Sequence, residues 1–266
     1  MRAIALCLAL FAPPAAAHEF WIEPLEWQIE ANDMVRADLV NGSDFEGPRF
    51  AFLPQRFERF TLHAGGEAFA VESRLGSRPA LDMAAPAEGL LVAAYVSVPS
   101  VVTYDERETF DSFVAHKDLS AVAGAHDARG LPEAGFKEVF TRYSKALIGV
   151  GDAEGKDERL GLETELVALD NPYAGDLTNG IRVQLYYGDA ARADAQVELF
   201  ARDADGHVEL TLHRTDAEGV AVLPVAPGHD YLANAVVLRE PAAGVAAETG
   251  AVWESLWAAL TFAVPD

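Results

Sequence analysis

The chain has 266 residues, half of them hydrophobic, and 42 acidic against 20 basic side chains give a formal net charge of −22. That charge excludes nucleic acid and anionic membrane surfaces as partners, while the apolar content is enough for real cores without staples. The single cysteine, Cys7, lies near the N-terminus, so the chain beyond it holds no disulfide, no thiolate metal site and no cysteine nucleophile.

Residues 1–17 read as a secretory signal. Arg2 supplies the positive start, an apolar run follows from Ala3 to Phe11, and Ala15-Ala16-Ala17 meets the small-x-small cleavage rule. No later apolar stretch approaches the ~20 residues needed to span a bilayer. The expected product is a periplasmic protein without a membrane span, and cleavage after Ala17 makes His18 its first residue. An N-terminal histidine offers two nitrogens, the free α-amine and imidazole Nδ1, which chelate one ion in a single ring. Such a pair suits Cu(II), Ni(II) and Zn(II).

From Trp21 to about Tyr104 short apolar stretches alternate with turn residues. Val35–Val40 precedes Asn41-Gly42, Phe60–Ala64 precedes Gly65-Gly66, and Leu90–Val98 is long enough for a buried strand. Residues 105–145 change character. Phe110, Phe113 and Val114 fall at i, i+3, i+4, and after Pro132 the residues Phe136, Val139, Phe140 and Tyr143 repeat that spacing. The reading is a helical insertion, with Gly124–Gly130 as a loop inside it. Arg142, Tyr143 and Lys145 then sit at a helix-to-strand junction, where positive charge caps a helix end or meets an anion. Lys145–Val150 reads as a strand, and Gly151–Gly161 as a loop.

The C-terminal part is a meander. Ile181–Tyr187, Ala195–Ala201 and Val208–Leu212 alternate, with turns at Asp203-Ala204-Asp205-Gly206 and Asp216-Ala217-Glu218-Gly219. The first of these turns is not a calcium hand, because Arg214 stands where that loop needs glutamate. The expected fold is mainly β with two β-sandwich domains. The first spans 18–165 with a small helical insertion at about 105–145. The second spans 166–266 and is immunoglobulin-like or transthyretin-like.

Five segments together resemble one exported family. They are His18–Pro24, Val101–Glu106, Arg142–Ile148, Leu162–Val167 with Asp170–Tyr173, and Trp253–Phe262. The resemblance is to the NikM-like group, a domain of unknown function whose members are often labelled periplasmic components of cobalt or nickel transport. It implies a role in transition-metal uptake, and it carries over one residue, His18, as a terminal chelator.

Completing a site takes further donors. His63, His116, His126, His207, His213 and His229 form neither an i, i+4 helical pair nor an HxH pair, so no preformed zinc motif is present. His116 and His126 lie in the helical insertion, which places them as the candidates to join His18. Glu19 and Glu23 are the nearest carboxylates. No catalytic residue is expected: the chain has no Gly-x-Ser-x-Gly and no phosphate-binding loop. The expectation is a metal-binding protein for Ni, Co or Cu that serves a membrane transporter or outer-membrane receptor. The alternatives are a metal-free accessory module and, further off, a copper oxygenase built on a histidine brace.

Overall fold

The structure is a computed structural model that describes residues 18–266; the proposed signal segment 1–17 lies outside the described residues. The fold is mainly β, built as sheets packed face to face. One ten-stranded sheet runs through the molecule in the spatial order Val208–Arg214, Gln196–Arg202, His229–Arg239, Trp253–Val264, Phe136–Val150, Gly89–Ser97, Phe57–Ala64, Glu67–Ala70, and Gln28–Ile29 and Ser100–Tyr104 pair along Phe136–Val150 to complete it. It takes strands from both sides of residue 165. Its two long central strands, Phe136–Val150 and Trp253–Val264, pair in parallel. A four-stranded sheet containing Glu19–Pro24 and Met34–Gly42 covers one part, and a second containing Thr164–Ala168 and Ile181–Tyr187 covers another.

Consecutive residues of the central strands feed different cores, as the period of two requires. Leu91 and Ile148 pack with Ile22, Leu39 and Phe60 under the first small sheet. Their neighbours Leu90 and Leu147 pack with Leu166, Val183 and Phe262 under the second. The Gly89–Ser97 strand is therefore buried along its whole length. This accounts for its unbroken apolar run, since a strand covered on both faces has no polar side to show.

The insertion is helical only in its first half. Helices span Arg107–His116 and Ser120–Ala128, so the stretch read as a loop from Gly124 is largely the end of the second helix. Phe136–Val150, expected to begin as a helix, is one continuous strand of 15 residues. The spacing of Phe136, Val139, Phe140 and Tyr143 fits a helical stripe only because both strand faces are buried and apolar residues appear in either phase. The first helix packs Phe110, Phe113 and Val114 onto Phe136, Trp253 and Trp257 of the central sheet, and the second adds Val122 and Ala125 to the same cluster.

The hairpin at Asp203–Gly206 forms as read, joining Gln196–Arg202 to Val208–Arg214. Asp203 Oδ1 accepts from the backbone N–H of Asp205 and of His207, and Gly206 takes a left-handed φ of 85°. Among the described residues no helix is long and apolar enough to cross a membrane.

Candidate functional site

A cavity of about 730 Å³ opens on the face of the central sheet shared by the first small sheet and the helices. Alternation builds its floor. Glu138, Phe140 and Arg142, at every second position of Phe136–Val150, all line it, and Trp257, the cross-strand partner of Arg142, lies beside them. Tyr95 and Ser97 come from the neighbouring strand. Phe20, Leu39, Asn41 and Phe50 form the wall on the side of the first small sheet, and Thr109 and Phe113 the wall on the helical side. Phe113 stacks on Trp257 with ring centroids 5.6 Å apart.

The polar groups of the floor differ in how they are partnered. Tyr104 Oη donates to Glu138 Oε2 at 2.8 Å, and Ser255 Oγ donates to Glu138 Oε1. Burial pushes the Glu138 carboxyl above its usual range, and Ser255, Tyr104 and Arg142 pull it only partly back. Arg142 is 9% exposed, and its guanidinium lies 4.0 Å over the Trp257 ring and 5.0 Å from that of Phe140. Its Nη1 is buried without a hydrogen-bond partner. Burial lowers its pKa to about 10, with Glu19 and Glu138 opposing, so the side chain stays charged at neutral pH.

His18 is exposed and lines the same cavity. The chain is held from the next residue on. Glu19 opens the strand that pairs with Met34–Gly42, and Trp21 is fully buried. Glu19 Oε1 is 2.8 Å from the buried Lys117 Nζ, whose other carboxylate partner is Glu198 at 2.6 Å. Glu19 is thus committed to Lys117, and Glu23 accepts from Arg202 Nη1 at 2.9 Å. Neither is the free oxygen donor for His18 that their place in the sequence had suggested.

The structure does not bring His18, His116 and His126 into one cluster. Among the described residues the grouping of three metal-type donors is Asp203, Asp205 and His207 at the hairpin tip, two of them exposed. His116 ends its helix with Nε2 3.2 Å from Glu198 Oε1, a contact that raises its pKa. His126, expected as a ligand, is fully buried. Its Nδ1 accepts from Trp253 Nε1 at 3.0 Å, and Nε2 faces the Pro132 carbonyl at 3.1 Å. The indole only donates, so Nδ1 is unprotonated and Nε2 carries the hydrogen. No lone pair remains for a metal, and His126 locks the second helix to the sheet.

The polar trio at 142–145 is no helix cap. The strand turns Arg142 to the cavity and its neighbours elsewhere: Tyr143 Oη donates to Glu163 at 3.1 Å, and the buried Lys145 Nζ lies 2.6 Å from Asp157 and 3.1 Å from Glu165. Sequence reasoning passed over Glu138 and Trp257 and gave Arg142 the wrong setting. The available signal was the i, i+2, i+4 spacing of Glu138, Phe140 and Arg142, overshadowed by the helical count.

No curated protein matches the chain significantly. A solved structure described as "Crystal structure of tetra-tandem repeat in extending region of large adhesion protein" aligns with 92% of this chain at 13% identity and a TM-score of 0.20. The chain spans about half of that structure, 49% of its length, and the likeness is too distant to bear on fold or function. The family described as "Domain of unknown function (DUF4198)" matches residues 15–239, most of the sequence, and the chain belongs to that family.

Proposed function

We propose that this is an exported protein that binds a transition metal, nickel, cobalt or copper, through His18 and serves metal uptake or handling, in keeping with the resemblance to the NikM-like group. One observation carries the reading. The residue that cleavage after Ala17 would expose stands unburied on the wall of a cavity, while the chain is fixed immediately behind it by strand pairing and by the Glu19–Lys117 ion pair. An ordinary terminus frays; this one is anchored at its second residue. The donor chemistry fits: the freed α-amine and Nδ1 form the chelate, and the carboxylates of Asp105 and Glu106 line the same cavity. A copper oxygenase would need a second free histidine. Neither ring nitrogen of His126 is free, His116 Nε2 faces Glu198, and among the described residues no histidine besides His18 lines the cavity.

The metal-free accessory reading draws on a different feature. Val208–Arg214 is the edge strand of the ten-stranded sheet, and Leu210 and Leu212 stand exposed on it, Leu212 by 59%. Such an edge admits an added strand from a partner.

A Cu(II) and Ni(II) titration of protein beginning at His18, against a form with one extra residue before it, separates the two readings. The metal reading expects one-to-one binding that the extra residue abolishes. Equal binding by both forms overturns it and leaves the edge strand as the surface to pursue.

A further inference from the structure

The same cavity contains a feature the metal reading does not use. Arg142 is nine-tenths buried and charged, with Nη1 unpartnered, and among the described residues it forms no ion pair. Leaving a buried donor unsatisfied costs free energy, more so on a charged group. Native structures keep such groups where something else completes them. The nearest carboxylate on its own strand face, Glu138, is already held by Tyr104 and Ser255.

We propose that Arg142 is the anchor of a binding site for an organic monocarboxylate, whose apolar or aromatic body fills the cavity between the first small sheet and the helices. The volume of about 730 Å³ suits a small organic molecule and far exceeds a single inorganic anion. The wall offers Phe20, Phe57, Tyr95, Phe113 and Trp257 to that body. The charge is limited to one. Two guanidiniums line the cavity, and that of Arg142 is the buried one with an unpartnered N–H; Asp105 and Glu106 on the same lining offset the charge of Arg56, and the chain carries −22 overall, so a polyanion is disfavoured. A guanidinium matches a carboxylate edge through paired N–H donors. Its stacking on Trp257 fixes the plane in which that fork is presented.

The site does not require His18 or a metal, so it is tested on protein stripped with EDTA. Calorimetry with 3-phenylpropionate and its neutral amide, 3-phenylpropionamide, reads the charge requirement directly. The acid is expected to bind one to one and the amide at least about tenfold more weakly, the size of one charge-assisted contact. Arg142→Gln is expected to weaken the acid at least about tenfold and leave the amide within about twofold. Equal binding of acid and amide, undiminished acid binding by Arg142→Gln, or no acid binding at about 10 mM, the weak limit for a ligand of this size, overturns the proposal. If the variant does not fold, the acid-to-amide ratio of the unaltered protein decides. Loss of the carboxylate site would leave the His18 titration unaffected, so the two proposals fail separately.

Discussion

Lys145 and Arg142 stand three residues apart on one strand, both cationic and both buried, yet their surroundings are opposite. Lys145 is 1% exposed, and Asp157, Glu165 and the Glu158 carbonyl surround its Nζ within 3.1 Å. Asp157 and Glu165 are themselves tied to backbone N–H groups of Ala168, Leu160 and Leu162. This is a closed network that fastens the loop after the strand to the second small sheet. Arg142, directed to the other face, has two aromatic rings against it and no carboxylate within ion-pair distance; Glu19 and Glu138 act on it only from further off. A buried charge with its partners supplied is architecture; one without them is a place for a ligand. The difference follows from strand alternation, which sends residues an odd number apart to opposite faces.

Substitutions break the comparison in order of size. Lys145→Met should destabilise the protein by about 3–5 kcal/mol in urea unfolding, because it strands two buried carboxylates. A loss below about 1 kcal/mol would mean that the network is not closed. Asp157→Asn keeps the shape but only one of the two acceptor oxygens that serve the Ala168 and Glu158 N–H groups, and removes one of two charges facing Lys145, so about 1–3 kcal/mol is expected by the same measurement. Arg142→Met should leave stability unchanged or raise it by about 1 kcal/mol, since no partner is orphaned and an unpaired buried cation is removed. A marked loss would show that Arg142 is a structural member like Lys145.

The smallest effect concerns pH. The hydrogen bond to Glu198 raises the His116 pKa above 6.5, against the cost of burial. A raised folded-state value means that the stabilisation is complete below the unfolded pKa and is lost as pH rises through the folded one. His116 is half exposed, so the contribution is at most about 1 kcal/mol. The unfolding free energies of wild type and His116→Gln should differ near pH 5.5 and converge by pH 8. A gap independent of pH would show that the contact with Glu198 does not depend on protonation.

The strands after residue 180 were legible because their turns carry Asp and Gly and their residues alternate; the Asp203–Gly206 hairpin forms, but the turn at Asp216–Gly219 carries the chain from the ten-stranded sheet to the second small one, so the strands do not run on as a meander. Residues 136–143 were misread because both of their faces are covered. A strand buried on two sides loses its period of two, and three aromatics and a valine can then mimic a helix. His126 reads as a candidate ligand in the sequence because nothing local signals Trp253, which arrives from 127 positions away.

What the sequence determined by itself is the β class, the acidic charge, membership of a family of unknown function, and the segment at His18–Pro24 from which the functional reading starts. These depend on composition, short-range periodicity and contiguous motifs, all properties of neighbouring residues. What only the tertiary structure decided is the site. His18, Tyr104, Arg142 and Trp257 come from four separate segments, and pairing of the two long strands is what sets Trp257 beside Arg142. Whether a buried cation has a partner is fixed by contacts across such distances, and no local pattern in the chain encodes it.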